Sequence, residues 1–234
     1  MIRSLTIIFL ILILSNHIFS QNILLEKEVP DSLNSDTGPN KKNFLHPFIS
    51  GGIFLPSGEN LKIKPLGSFY YEFGLRRKYK VNNTLSEGID LSVSQQFYGI
   101  KQISDKIFPD TVLYKSEKLK INSINLILFQ RINFGNRGNY MGYFVDIGIT
   151  GSWNYGLRRI TIARLTDTDN GDKIKSIYFN PVYIERFGYG IIFRAGINRL
   201  VVQVKYNLSN IIKSSYYPDD IKGLCVGMQL GIHR

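Results

Sequence analysis

The chain has 234 residues, a formal net charge of +11 and a single cysteine, Cys225. One cysteine excludes an intramolecular disulfide framework, and basic residues scattered along the chain, with none gathered on a helix face, argue against a nucleic-acid partner. Outside residues 1–20 no stretch repeats apolar residues at helical spacing, so the expected fold class is all-β.

The first element is a targeting signal. Arg3 precedes an aliphatic run over 5–14 that is too short to span a bilayer as a helix, and a polar patch leads into Phe19-Ser20-Gln21. This is signal-peptide grammar, with cleavage expected near Ser20. Residues 21–45 carry Pro30, Gly38 and Pro39 without sustained alternation, and are read as a flexible periplasmic leader. A barrel domain is expected over 46–234.

Period-two alternation then recurs to the end of the chain. Eight strands are expected, over 46–55, 67–77, 88–99, 120–133, 140–155, 182–195, 200–208 and 222–232. Most reach the roughly nine to eleven residues that a tilted membrane strand needs. Short connections such as Gly135-Asn136-Arg137-Gly138-Asn139 and Gly196-Ile197-Asn198-Arg199 alternate with longer ones, the longest over 156–181. Short periplasmic turns and long extracellular loops produce that asymmetry.

The polar face decides between lipid and water outside. It holds Gly74, Ser92, Ser94, Gly148, Gly188, Gly190, Gly227 and Gly231 among a few charges. A water-facing exterior has no use for so much glycine, whereas a narrow lumen must alternate small and large side chains. Inside it, Glu72, Asp90 and Asp146 are expected to pair with Arg76, Arg131, Arg186 and Arg194, filling the lumen rather than leaving a conducting path. Tyr70, Tyr71, Phe97, Tyr98, Tyr140, Tyr143, Tyr183 and Tyr206 are expected in interfacial belts. The expected architecture is an eight-stranded antiparallel up-and-down transmembrane β-barrel in the cell outer membrane.

The segment Tyr71-Glu72-Phe73-Gly74-Leu75-Arg76-Arg77-Lys78-Tyr79, followed by Gly88-Ile89-Asp90-Leu91-Ser92-Val93-Ser94, resembles the second hairpin of the PorT-like outer-membrane β-barrel family. The likeness runs from about 46 to the end. It implies the fold and the location and brings no catalytic residues. The chain departs from such barrels in ending on Gly231-Ile232-His233-Arg234 in place of an aromatic residue.

Chemistry-bearing constellations are sparse. His46 and Ser50 are formally a base and a nucleophile, with no orienting acid in evidence. Asp167, Asp169 and Asp172 resemble a calcium loop that lacks its closing glutamate. No enzyme activity, cofactor or metal is therefore expected. The expected role is structural or interactive: Lys101, Lys106, Lys115, Lys118, Arg158, Arg159, Lys173 and Lys175 on or beside the extracellular loops would contact outer-membrane lipid, lipopolysaccharide phosphates or other envelope proteins. The alternatives are an accessory part of a secretion or assembly machine, a small-solute channel, and a lipid-modifying enzyme built on His46.

Overall fold

The computed structural model describes residues 38–56, 63–104, 106, 110–135, 140–164, 173–216 and 223–233. The signal peptide expected over 1–20, most of the leader expected over 21–45 and the Asp167–Asp172 segment lie outside these residues.

Alternation of side chains sends every second residue of a strand to the same face, and the chain uses this to close on itself. Among the described residues nine antiparallel strands are formed: β1 (Asn43–Pro56), β2 (Phe69–Lys80), β3 (Leu85–Gly99), β4 (Ser116–Phe134), β5 (Tyr143–Arg164), β6 (Lys173–Phe179), β7 (Phe187–Ile197), β8 (Leu200–Asn207) and β9 (Gly223–Gly231). Eight of them, all but β6, pair with their neighbours in chain order, and β9 returns to β1 through pairs from Phe48↔Gly231 to Pro56↔Gly223. Closure leaves these strands no open edge, so the backbone is satisfied in lipid. Among the described residues no helix is long and apolar enough to cross a membrane.

The outer surface is apolar. Phe73, Leu91, Leu126, Leu128, Ile147, Ile191, Val202 and Met228 are all exposed. Polar residues of opposite parity lie buried inside, among them Glu72, Arg76, Asp90, Asn125, Arg131, Asp146, Arg194 and Gln203. The orientation expected from the glycine-rich polar face is thus observed.

β1 begins at Asn43 rather than at 46, and Pro39 is already buried, its carbonyl accepting from Lys78 Nζ at 2.5 Å. The larger difference concerns the loop expected over 156–181. β5 continues to Arg164 and turns back as β6, which pairs with it from Arg158↔Phe179 to Arg164↔Lys173. β4 starts early to match, with Ser116 opposite Ile162. The alternation is hidden by a β-bulge: Asn122 pairs with Gly156 and Ser123 with Asn154, leaving Tyr155 over. An extra residue inverts parity, so inward residues are even-numbered up to Asn154 and odd-numbered from Leu157 onward. The upper ends of β4 and β5, together with β6, therefore extend the sheet past the end of β7 as a blade.

Three belt residues are also corrected. Tyr70 and Tyr98 share parity with Glu72 and Gln96, and both point inward, almost wholly buried. Tyr183 packs against an inner apolar cluster. Tyr71, Tyr140 and Tyr143 are exposed on the outer surface as expected.

Candidate functional site

The lumen is built in layers. At the periplasmic end His46 and His233 meet edge to face, with ring centroids 4.9 Å apart, and Phe44 packs on both. Above them lies the charge layer. Arg76 donates from Nε and Nη2 to the two carboxylate oxygens of Asp90, each at 2.8 Å. Arg131 grips Asp146 in the same two-pronged way at 2.7 and 2.9 Å. Arg194 joins the pairs, with Nη2 2.7 Å from Asp90 and Nη1 3.8 Å from Asp146. Planar guanidinium forks suit this bidentate grip. Three arginines also surround the Phe129 ring, with centroid distances of 5.0 Å for Arg76, 5.4 Å for Arg194 and 5.6 Å for Arg131. Gly88 makes room for that ring, since a Cβ there would lie 2.6 Å from Phe129 Cε1, and Gly148 makes room for the start of the side chain, with the Phe129 Cβ 2.9 Å away.

Of the expected lumen charges, Arg186 is not among them. It lies exposed just before β7. Its place is taken by Lys205, whose Nζ donates to Glu72 at 2.5 Å. Glu72 also accepts from Ser50 at 3.0 Å, Ser92 at 2.5 Å and Asn125 at 3.3 Å. The Ser50 hydroxyl is thus committed to a carboxylate, and the His46 ring nitrogen Nδ1 lies 3.1 Å from the Pro47 carbonyl.

A cavity of about 50 Å³ sits higher, lined by Tyr70, Ser94, Gln96, Asn125, Lys205 and Cys225. Over it lies an apolar cluster that the sequence reading missed. Phe54, Tyr98, Leu119, Ile121 and Leu157 from the strands meet Ile63, Ile184, Ile211 and Ile212 from the connections. Isolated bridges Ile63↔Ile100 and Ile184↔Ile212 fold those connections inward. The lumen is closed first by this plug and again by the arginine layer, a packing that disfavours a conducting path.

At the top, Glu117 and Arg159 of the blade meet Lys106 and Asp110 of the β3–β4 connection. Lys106 and Arg159 both reach Glu117, at 2.6 and 2.7 Å, and both reach Asp110, at 3.2 and 2.6 Å. These two bases were expected to be loop contacts; they are spoken for inside. Burial alone would raise the Asp110 carboxyl, but hydrogen bonds from Arg159 and Lys106 outweigh it and hold Asp110 below its ordinary value. A carboxylate lowered in this way stabilises the fold above its unfolded pKa of about 3.9, and that contribution is lost as pH falls through the lowered value. Amide exchange over residues 110–118, corrected for intrinsic rate, is expected to stay level from neutral down to about pH 4 and to accelerate below it.

The outer face of the blade is different. Pairing places Lys118, Lys120, Arg158, Ile160, Ile162, Lys173, Lys175, Ile177 and Phe179 on one side. No acidic residue shares it among the described residues. Lys120 stands directly opposite Arg158, resting over Phe97 at 5.5 Å, while Arg158 rests over Phe179 at 5.2 Å. On β4 the outward residues change from Lys118, Lys120 and Asn122 to Ile124, Leu126 and Leu128 within a few positions. On β5 the change falls at the exposed Trp153 and Tyr155. This cationic face begins where the apolar belt ends.

A family model described as an outer membrane protein beta-barrel domain matches residues 34–232. No curated protein matches the chain. With a closed eight-stranded barrel, an apolar exterior and a match across most of its length, the chain belongs to this outer-membrane β-barrel family and resides in the outer membrane.

Proposed function

We propose that the protein is a non-enzymatic interaction barrel whose cationic blade face binds the phosphates of lipopolysaccharide. The observation that carries this reading is the Lys120–Arg158 pair, joined by Lys118, at the upper rim of the apolar belt. Like charges directly opposite on one sheet face destabilise it, and an anion seated between them would offset that cost. Lipid phosphates lie at the same height. Each base near a charged surface contributes about 1 kcal/mol, so three supply roughly a hundredfold in affinity.

The test is titration of refolded full-length protein with lipopolysaccharide at low salt. Replacing Lys118, Lys120 and Arg158 together by Ala is expected to weaken binding by about a hundredfold while the heat-modifiable gel shift is kept. Unchanged binding by a folded triple variant would sink the reading. The engagement of Ser50 with Glu72 and of His46 with His233 supports the absence of hydrolase chemistry.

The narrower kinship with PorT-like barrels is supported by the segments Tyr71–Tyr79 and Gly88–Ser94, which pair as the β2–β3 hairpin from Glu72↔Ser94 to Lys78↔Gly88. That kinship favours an accessory role in a secretion or assembly machine as a second reading, which normal secretion in a deletion strain would remove.

A further inference from the structure

β5 has two partners on one side. β7 pairs with its lower half up to Trp153↔Phe187, and β6 pairs with its upper part from Arg158 to Arg164. β6 is the last strand of the order, and its far edge pairs with no strand among the described residues. The ladder tells which groups face that edge. The Asn180 N–H donates to the Leu157 carbonyl at 2.8 Å. In an antiparallel ladder, bonded and non-bonded pairs alternate, so Ile174, Ser176 and Tyr178 exchange bonds with β5. Lys173, Lys175, Ile177 and Phe179 turn their N–H and C=O groups outward, into water.

Such an edge is a template for another strand. Six of the seven residues of β6 are exposed, with Ile174, Ile177, Tyr178 and Phe179 all more than 40 % accessible. The four edge-facing residues also share one side of the sheet, reading Lys, Lys, Ile, Phe at alternate positions. We propose that β6 is a docking edge for an extended acidic segment of another protein, added as a further strand to the blade.

Charge selects this occupant. The edge carries two lysines and no acid, and its neighbour Arg158 adds a third cation on the same side, so a strand with carboxylates opposite Lys173 and Lys175 gains cross-strand pairs. A second copy of the chain does not fit. Two copies in one membrane are related by rotation about the membrane normal, and β6 descends toward the membrane in both. Their edges could then meet only in parallel, with lysines brought against lysines. The proposal rests on Lys173, Lys175 and the backbone edge of β6, which the lipid reading does not use; the two share only Arg158, lower on the blade.

The probe is a dye-labelled seven-residue peptide, threonine at even positions and Val, Val, Glu, Glu at the odd ones, titrated into full-length protein in nanodiscs. That order sets the acids opposite the lysines in antiparallel addition. Saturable binding is expected, at least tenfold weaker when the peptide amides facing β6 are N-methylated. The variant K173E/K175E, verified as folded by its gel shift, should lose the acidic peptide at least tenfold and gain the lysine-for-glutamate counterpart. The N-methylated peptide leaves the protein untouched, so it decides even if the variant misfolds. Absence of saturable binding, binding indifferent to N-methylation, binding unchanged in folded K173E/K175E, or β6–β6 crosslinks dominating in Ser176→Cys protein would each overturn the proposal.

Discussion

Asp90→Ala is expected to destabilise the barrel by about 3–5 kcal/mol, because it strands two buried guanidinium groups at once. Asp90 takes both prongs of Arg76 and the Nη2 of Arg194, and all three side chains are almost wholly inaccessible. With the carboxylate gone, the nearest acid left to Arg194 is Asp146 at 3.8 Å, which is already held by Arg131. Replacing Arg76, Asp90 and Arg194 together by Met, Leu and Met should recover most of the loss, since a buried ion cluster exchanged whole for apolar volume costs little. Urea unfolding in lipid vesicles, followed by fluorescence of the single tryptophan, Trp153, measures both. A single variant as stable as the parent would mean that the lumen is hydrated enough to screen the charges.

Leu128→Arg is expected to cost about 2–4 kcal/mol, as a cation placed at the midplane of a lipid-facing strand does. Leu128 lies between Ile89 and Ile149 on an outer face that runs from Ile124 to Phe134. The sign is the informative part. On a soluble barrel an exposed leucine could become arginine within about 0.5 kcal/mol. Val112→Arg, the same kind of change at an exposed position of the β3–β4 connection, serves as the neutral comparison. The same unfolding assay reads both variants, and equal small effects would contradict the membrane-facing assignment.

Much of this architecture follows from parity. Alternation in β2, β3, β4 and the lower half of β5 sorts residues into two faces, and the glycines on the polar face, such as Gly148 beside Phe129, announce a crowded interior. Loop asymmetry and strand length add the membrane. The eight barrel strands, their antiparallel order, the lipid-facing side and the acids Glu72, Asp90 and Asp146 are therefore readable from residue order alone.

Three features needed the folded chain. A bulge at Tyr155 inverts parity, so a reader following the alternation stops there and takes β6 for loop. Which base meets which acid depends on the stagger between strands, and this is why Lys205, distant in sequence, holds Glu72 while Arg186 stays outside. Composition shows a basic loop region; it cannot divide Lys106 and Arg159, turned inward onto Glu117, from Lys118, Lys120 and Arg158, turned outward. The barrel and its lipid face are legible in residue order, because both rest on a local period of two. The plug, the blade and its free edge emerge on folding, because they arise where long-range pairing brings separate segments side by side.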